Sequence, residues 1–248
     1  MKIGYGIQMY SLRDAVKEDM DKTLKTVADL GYQYVEFAGF AGHTAEEIKA
    51  MLDKYGLKCS GTHTNLAAIT PYEIWKTIDY HKAIGCDYLI IPSMHMGTEE
   101  ELEWAIATIN YAQPRLKEHG ITLAFHNHSG EFVKTAYGKL VHEELQKRTS
   151  IEFEIDTFWA FNAGLDPVDV IEKYKDRVRF IHLKDGIPQD LNDPESKPQG
   201  RSLGSGITPI EKVINKAHKL GITMVVESED LSPTGPEEVK RCIDFLNG

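Results

Sequence analysis

The sequence predicts an α/β protein, a single (β/α)8 TIM barrel that covers residues 1–248 as one domain. Short apolar or β-branched runs alternate with longer segments of helical period, and this alternation occurs eight times. The amino-acid composition shows no break that would mark a second domain. No P-loop and no G-x-G-x-x-G turn follows a predicted strand, as an open nucleotide-binding sheet would require. These three observations favour one closed barrel.

Each of the eight units pairs a predicted strand with a predicted helix. The predicted strands are Ile3–Gln8, Tyr34–Phe37, Lys58–Thr62, Tyr88–Ile91, Thr122–His126, Ile151–Ile155, Phe180–Leu183 and Met224–Glu227. The predicted helices are Met20–Leu30, Ala45–Tyr55, Pro71–Ile84, Glu99–His119, Gly138–Lys147, Pro167–Lys175, Pro209–Leu220 and Pro236–Asn247. Because a helix separates successive strands, we expect the strands to pair in parallel with right-handed crossovers.

The composition is typical of a cytoplasmic enzyme. The formal net charge is −10 and no block of five Lys or Arg residues occurs, so we expect no nucleic-acid partner. No apolar run approaches the ~18 residues of a membrane span, and the first residues are strand-like rather than a signal peptide. The three cysteines, Cys59, Cys86 and Cys242, lack the spacing of a disulfide frame or a zinc site, which indicates a reducing compartment.

One long segment, Gly186–Gly206, carries no strand or helix pattern. Loops of about twenty residues without regular structure are uncommon and are usually either functional or disordered. In a barrel this loop would follow strand 7 and lie on the C-terminal face, where active sites form. The two interpretations are a lid over the site and a disordered loop.

Polar residues stand at the C-terminal end of nearly every predicted strand. Since these ends converge on one mouth, their side chains are candidates for a common site. The residues at or just beyond the strand ends are Gln8, Glu36, His63, His95, His126, His128, Asp156, His182, Lys184 and Glu227.

The strongest signals lie on strands 5 to 8, and strand 5 carries several candidates. Asp156 follows a predicted strand directly and is either a site residue or the cap of the next helix. His182 lies in an apolar strand, where a lone histidine is often a hydrogen-bonded core residue, but Lys184 two positions on shares its face. Glu227 follows three apolar residues, and burying its charge without a partner would be costly. Imidazole and carboxylate groups together suit Mn²⁺, Mg²⁺, Co²⁺ or Zn²⁺, so we expect a divalent metal here.

Strand 5 leaves the remaining ligand open. His126 and His128 share one face, and either could be a ligand, a proton carrier or a contact to a substrate hydroxyl. Glu131, beyond the strand end, could hold a ligand in place or be the ligand itself.

Several further residues are candidates for contact with substrate. Glu36, His63 and His128 present polar groups at strand ends. Trp159 could stack on a sugar ring or belong to the packing, and Arg201 in the long loop could bind a phosphate or carboxylate or remain solvated. The other histidines on predicted helices or their edges are expected at the surface: His43, His81, His119, His142 and His218.

These motifs resemble the sugar phosphate isomerase/epimerase superfamily, the xylose isomerase-like barrels that also include inosose dehydratases, tagatose/psicose 3-epimerases, hydroxypyruvate isomerase and endonuclease IV. The resemblance covers nearly the whole chain, and His182-Leu183-Lys184-Asp185 is its most specific part. The segments that carry it are 30–37, 125–128, 154–157, 177–185, 203–206 and 225–227.

The resemblance implies a metal held by His126, Asp156, His182 and Glu227. In the epimerase branch the strand-5 ligand is a glutamate that works with the strand-8 glutamate as an acid/base pair. Here His126 takes that position, which leaves Glu227, His126 or His128, and Lys184 as the expected proton carriers. Ser205 stands where relatives often have glutamate.

The resemblance implies an isomerase or epimerase of a small carbohydrate, such as a sugar, a keto-sugar or a sugar phosphate. The reaction would move a proton next to a carbonyl through a metal-stabilised enediolate. The alternative is an inosose dehydratase-like enzyme, or a lyase or hydratase of 3-keto-glycosides, that uses the same metal. A third hypothesis is a sugar-binding regulatory barrel without turnover. The family also suggests a homo-oligomer.

Overall fold

The computed structural model describes residues 4–193 and 195–248. Within them, eight parallel strands form a closed barrel in chain order, and the last strand pairs with the first. The strands are β1 (Tyr5–Gln8), β2 (Tyr34–Phe37), β3 (Lys58–His63), β4 (Tyr88–Ile91), β5 (Thr122–His126), β6 (Glu152–Asp156), β7 (Val178–Leu183) and β8 (Thr223–Val226). The predicted (β/α)8 barrel is confirmed.

Helices surround the barrel and cover the outer faces of the strands. In the described part of the chain they are α1 (Arg13–Glu18), α2 (Met20–Asp29), α3 (Ala45–Tyr55), α4 (Ile74–Ile84), α5 (Glu99–Glu118), α6 (Val141–Arg148), α7 (Thr157–Asn162), α8 (Pro167–Tyr174), α9 (Ile210–Leu220) and α10 (Gly235–Asn247). Short 3-10 turns cover Met9–Leu12, Leu66–Ile69, Gly130–Phe132 and Lys175–Arg177.

Helix α3 shows how individual residues determine where a helix begins, which face it buries and where it ends. The Thr44 hydroxyl accepts from the Glu47 backbone N–H, and the Glu47 carboxylate accepts from the Thr44 N–H, so two helix-end donors are satisfied. Such a cap contributes about 1 kcal/mol to helix stability. Ile48 and Leu52 lie one turn apart and are buried against the barrel. Gly56 ends the helix with φ of 67°, a left-handed conformation that glycine adopts without strain.

The structure differs from the predicted elements in a few places. Helix α4 begins at Ile74 rather than Pro71, because a turn precedes it. Helices α1 and α7 were not predicted; α7 starts directly after β6 without an intervening loop. The predicted first residue of the first strand, Ile3, lies outside the described residues.

The segment Gly186–Gly206 is not wholly irregular. Asp185–Ile187 pairs antiparallel with Gln199–Arg201 and forms a small hairpin outside the barrel. This pairing joins residues 12 to 16 positions apart, which is too long a separation for the two- to five-residue turns that signal a hairpin in a sequence.

Two histidines that we expected at the surface are buried, so that expectation was wrong for them. His81 is 1% exposed and contacts Thr62 Oγ1 at 2.6 Å through Nε2. His142 is 1% exposed and stacks on Phe153 with ring centroids 4.1 Å apart. Both histidines stand on the apolar faces of their helices, as Ile78 does for α4. His43 is half-buried, and His119 and His218 are exposed.

Among the helices of the described residues, none combines the length and apolar character needed to span a bilayer.

Candidate metal centre and active site

Four side chains from β5, β6, β7 and the end of β8 converge at the C-terminal mouth of the barrel. One ligand atom from each of His126, Asp156, His182 and Glu227 lies within 4.8 Å of the other three. His182 Nδ1 is 3.1 Å from Glu227 Oε2 and 4.0 Å from Asp156 Oδ2. His126 Nε2 is 4.0 Å from the same Asp156 oxygen. All four residues are buried.

This arrangement fits a divalent cation. Two ligand atoms that each lie about 2.1 Å from one ion can be at most about 4.2 Å apart. The three pairs given above span 3.1 to 4.0 Å, and all four ligand atoms lie within 4.8 Å of one another. Asp156 Oδ2 is buried and has no hydrogen-bond partner among the described residues. A buried carboxylate oxygen of this kind is costly unless a cation compensates it. Two imidazoles and two carboxylates form a donor set that Zn²⁺, Co²⁺ and Mn²⁺ accept.

Asp156 serves two purposes, one with each carboxylate oxygen. Its Oδ1 accepts from the Trp159 backbone N–H at 2.8 Å and caps α7, while Oδ2 faces the ligand cluster. Asn127 fixes the Asp156 backbone by accepting from its N–H at 3.1 Å and donating to its carbonyl at 3.4 Å. Burial raises the pKa of Asp156 to about 7, and Lys184 opposes the rise. The helix cap is therefore present in the structure, and the role of Oδ2 as a metal ligand stays a prediction.

The structure distinguishes the three strand-5 candidates by position. His126 lies in the cluster, and burial together with His182 keeps its pKa well below the usual value, so its ring is neutral. The His128 ring packs 5.1 Å from His126 and lines the cavity, outside the ligand group. Glu131 is buried, but its carboxylate accepts from the His128 backbone N–H at 2.9 Å and so orders the turn after β5.

Lys184 places a positive charge beside the cluster. Its Nζ lies 3.1 Å from Glu227 Oε2, 3.7 Å from Asp156 Oδ2 and 2.9 Å from Glu229 Oε1. Burial lowers the pKa of Lys184, but these carboxylates outweigh burial and raise it above the usual value. Burial likewise acts to raise the pKa of Glu227, and Lys184 and His182 bring it well below the usual value. Both groups are therefore charged at neutral pH.

A second polar layer lies directly beneath the ligands. Glu36 Oε1 accepts from Gln8 Nε2 at 2.6 Å and contacts His182 Nε2 at 2.8 Å. Glu154 Oε2 lies 2.9 Å from His63 Nε2 and 3.2 Å from His182 Nε2. Glu36 and His182 are fully buried, and His63 retains only slight exposure. This layer fixes the ring of His182 from below.

Charges within this layer shift one another's protonation. Burial and the neighbouring Glu36 raise the pKa of Glu154 to about 8. Burial would also raise the pKa of Glu36, but His182 and His63 lower it below the usual value. For His63, burial lowers the pKa and the Glu36 and Glu154 carboxylates raise it to about 9. In the metal-free protein, protons on this layer thus compensate part of the buried negative charge.

Glu154 is one of two members of the candidate site that the strand-end pattern missed. It belongs to a second group of potential ligands with His63, His126 and His182. The signal was available, because Glu154 precedes Asp156 by two residues and therefore shares its lumen face. Glu229 was also missed; it lies in the loop after β8, where no strand period applies.

A cavity of about 450 Å³ opens above the cluster. Its walls are formed by Tyr10, Ala38, Gly39, His63, Asn65, Pro92, Ser93, His126, His128, Glu227 and Glu229. Of the other predicted substrate contacts, Glu36 lies below the cavity, and the Trp159 ring packs 5.6 Å from the His128 ring and 5.0 Å from Lys184 Nζ. Arg201 and His95 are not among the residues that line the cavity. Arg201 lies in the hairpin, 3.5 Å from Asp230, and His95 is exposed.

Fold and site together define a TIM barrel with a candidate metal centre at its C-terminal mouth. Residues 24–247 match the family described as xylose isomerase-like TIM barrel, and the chain belongs to that family. The predicted family resemblance is confirmed.

Two proteins of similar sequence carry different enzyme names. An inosose dehydratase of Geobacillus kaustophilus is 26% identical over 191 aligned positions, which cover 66% of this chain and 61% of that enzyme. The chain thus spans less than two thirds of that relative's length. A 2-oxo-tetronate isomerase of Haemophilus influenzae is 24% identical, with 83% of this chain and 85% of the relative covered.

Solved structures agree with this placement. A sugar phosphate isomerase/epimerase from Parabacteroides distasonis superposes with a TM-score of 0.81 at 27% identity and covers 98% of both chains. A probable 3-DHS dehydratase from Bacillus anthracis superposes with a TM-score of 0.76 at 12% identity, covers 99% of both chains and shows the shared fold. Similar chains thus include enzymes named as isomerases and as dehydratases.

Proposed function

We propose that this protein is a divalent-metal-dependent isomerase or epimerase of a sugar or keto-sugar. The observation that carries the proposal is Asp156 Oδ2, which is buried and has no hydrogen-bond partner within the described residues. It lies 4.0 Å from His126 Nε2 and from His182 Nδ1, and 3.7 Å from the Lys184 ammonium. His126, Asp156, His182 and Glu227 would hold the metal, which supplies Lewis-acid polarisation of a carbonyl and stabilises the negative charge that develops there.

Glu227 is the proposed base for the proton next to the carbonyl. Its two hydrogen-bonding contacts, to His182 and Lys184, both use Oε2, whereas the residue also lines the cavity. Oε1 therefore remains for a substrate proton. Because Lys184 and His182 outweigh burial and keep the pKa of Glu227 low, the carboxylate is ionised and ready to accept.

The second proton carrier is an imidazole or the Lys184 ammonium. His126 and His128 both line the cavity, and burial lowers the pKa of each, so both rings are neutral and can accept a proton. Lys184, held charged by its carboxylates, donates to a substrate oxygen that becomes negative. For isomerisation, Glu227 would deliver the proton it has removed to the neighbouring carbon. For epimerisation, His126 or His128 would first take up a proton from solvent and then donate it to the face opposite Glu227.

A dehydratase is the second candidate, and one observation favours it. The β5 position carries His126 instead of a second carboxylate, and relatives with this fold include inosose dehydratases. In this reaction, or in a lyase or hydratase reaction on a 3-keto-glycoside, Glu227 would remove the same proton. Lys184 would then protonate the oxygen that leaves from the β-carbon.

Solvent deuterium distinguishes the candidates. The chelator-treated protein is reloaded separately with Mn²⁺, Mg²⁺, Co²⁺ or Zn²⁺ and incubated in D₂O with ketoses, aldoses and a keto-inositol. An isomerase or epimerase places deuterium in product and recovered substrate, whereas a dehydratase yields an unsaturated product that has lost water. Ligand binding without any exchange in every metal form would instead support a binding protein.

The variant Glu227→Gln tests the assigned base. We expect turnover to fall at least about hundredfold, because general-base catalysis contributes about 10²–10⁴. Glu152→Gln is the matched control, since Glu152 lies at the opposite end of the β6 lumen face, 3.2 Å from the Tyr88 hydroxyl. Full activity in Glu227→Gln would rule out the proposed base.

A further inference from the structure

The charges around the cavity indicate what kind of carbohydrate it accepts. We propose that the substrate is an uncharged polyhydroxylated ketone or aldehyde, and that phosphate esters and sugar acids are excluded. This inference rests on the proposed function and narrows it, because sugar phosphates and oxo acids share the same carbonyl chemistry.

Apart from the proposed metal at its base, the cavity offers no free cationic side chain along its described wall to bind a phosphate or carboxylate group. Among the described residues that line it, none is Lys or Arg, and two, Glu227 and Glu229, are carboxylates. Lys184 lies at the base, where it is 1% exposed and shared by Glu227, Glu229 and Asp156. Phosphate and carboxylate groups are usually held by Arg or Lys side chains with donors to spare.

Two arginines that contact the loops around the mouth, Arg13 and Arg201, already have hydrogen-bond partners. Arg13 donates to the carbonyls of Tyr10 at 3.2 Å and Glu229 at 3.1 Å, and its guanidinium lies over the Tyr10 ring. Arg201, which the sequence suggested as an anion contact, donates to Gln199 Oε1 and faces Asp230. Both therefore serve to hold loops.

The backbone position that TIM barrels often use for phosphate is already filled. Such sites commonly form on the loops after strands 7 and 8, where backbone N–H groups point at the anion. After β7, however, the buried Asp185 carboxylate takes these donors. It accepts from Gly186 N at 2.8 Å, Gly204 N at 2.9 Å, Gly206 N at 2.9 Å and Thr208 N at 3.1 Å.

The close approach of Asp185 is built into the loop. A Cβ on Gly206 would lie 2.3 Å from Asp185 Oδ1, so only glycine allows this contact. After β8, the Ser228 N–H donates to Ser11 Oγ at 3.0 Å, and the next two residues are Glu229 and Asp230. Neither loop thus presents a donor cluster to an external phosphate.

Three other polar side chains of the cavity wall are uncharged and can form hydrogen bonds with substrate hydroxyl groups. Asn65, Ser93 and Tyr10 are neutral donors and acceptors, and apolar surface from Ala38 and Pro92 lies between them. A sugar ring or an open polyol chain can exchange hydrogen bonds with such groups without a change in charge. A phosphate ester would instead face the carboxylates of Glu227 and Glu229, and the contact between like charges would weaken its binding.

Matched substrate pairs test the inference with the metal-loaded protein. The pairs are D-fructose with D-fructose 6-phosphate, and D-erythrulose with 2-oxo-tetronate, assayed by deuterium exchange or product formation. We expect kcat/KM for each neutral member to exceed that of its charged partner at least about tenfold, as a like-charge contact requires. Inorganic phosphate is expected not to inhibit.

The variant Glu229→Gln tests whether the negative charge of the cavity wall causes the preference for neutral substrates. Loss of this charge should reduce the preference for the neutral member of each pair, while the control Glu152→Gln should leave the ratio unchanged. A charged partner that reacts as fast as or faster than its neutral counterpart would overturn the inference and leave the proposed function standing. If no compound reacts, the proposed function fails, and calorimetric binding of the same pairs decides the inference: tighter binding of the charged members overturns it.

Discussion

Replacing Asp156 by Asn separates the two purposes of this side chain. An Asn side-chain oxygen can still accept from the Trp159 N–H, and Asn is as good a helix cap as Asp. The substitution nearly preserves volume and removes the negative charge at the position of Oδ2. We therefore expect α7 to form normally while the ligand cluster loses one of its two carboxylates.

The expected effect on stability follows from the buried charge. The pKa of Asp156 rises from 3.8 to about 7, which corresponds to about 4 kcal/mol against the ionised folded form at about 1.36 kcal/mol per pKa unit. At pH 8 the metal-free wild type bears this cost and the variant does not. Metal-free Asp156→Asn should therefore unfold at a higher temperature, by no more than about 10 °C for a chain of this size.

Added metal should stabilise the wild type and should stabilise Asp156→Asn much less, which is the opposite of the order expected for the metal-free proteins. A cation at one hundred times its Kd stabilises the folded state by about 2.7 kcal/mol, so Mn²⁺ should raise the unfolding temperature of the wild type. For Asp156→Asn we expect metal affinity to fall at least about hundredfold by calorimetry, more than the loss of a group outside the ligand shell causes. Two results would refute this reasoning: a metal-free variant less stable than wild type, or an unchanged response to Mn²⁺.

Three further predictions concern the surrounding groups. Glu154→Gln should weaken metal binding about tenfold by removing the carboxylate beside the ligand histidines, and Glu152→Gln should not; equal effects would contradict the assignment. His142→Phe should raise the free energy of unfolding by about 1 kcal/mol or more, because both ring nitrogens are buried without partners in the described residues; a loss of stability would show a missed partner. Metal-free protein should lose stability from pH 6.5 to 9, because folded Asp156, Glu154 and His63 hold protons up to pKa values of about 7, 8 and 9 that the unfolded chain releases earlier; a constant unfolding temperature would contradict this.

The barrel was predictable because each strand carries a local signal. The short apolar runs, which alternate with segments of helical period, located all eight strands to within a few residues. Helix α7 escaped because it is six residues long, rich in aromatic side chains and capped by the last residue of β6. The hairpin of Asp185–Ile187 with Gln199–Arg201 escaped because its pairing is set by tertiary contacts rather than by a turn motif.

The site was predictable to the extent that strand ends determine it. His126, Asp156 and His182 come together because parallel strands in a closed barrel bring their C-terminal ends to one mouth. The position of Arg201 depends on the path of the hairpin, and the contact of Glu229 with Lys184 depends on the loop after β8. Neither loop path follows from the periodicity of the sequence. For this reason Arg201 was predicted as a substrate contact although it does not line the cavity, and Glu229 was not predicted although it does.

The most direct test is an anomalous diffraction map from a crystal of the protein soaked in Mn²⁺. We predict one strong peak about 2.0–2.4 Å from Nε2 of His126, Oδ2 of Asp156, Nδ1 of His182 and a carboxylate oxygen of Glu227. A peak held instead by His63 and Glu154, or no peak at this mouth at a saturating Mn²⁺ concentration, would contradict the account.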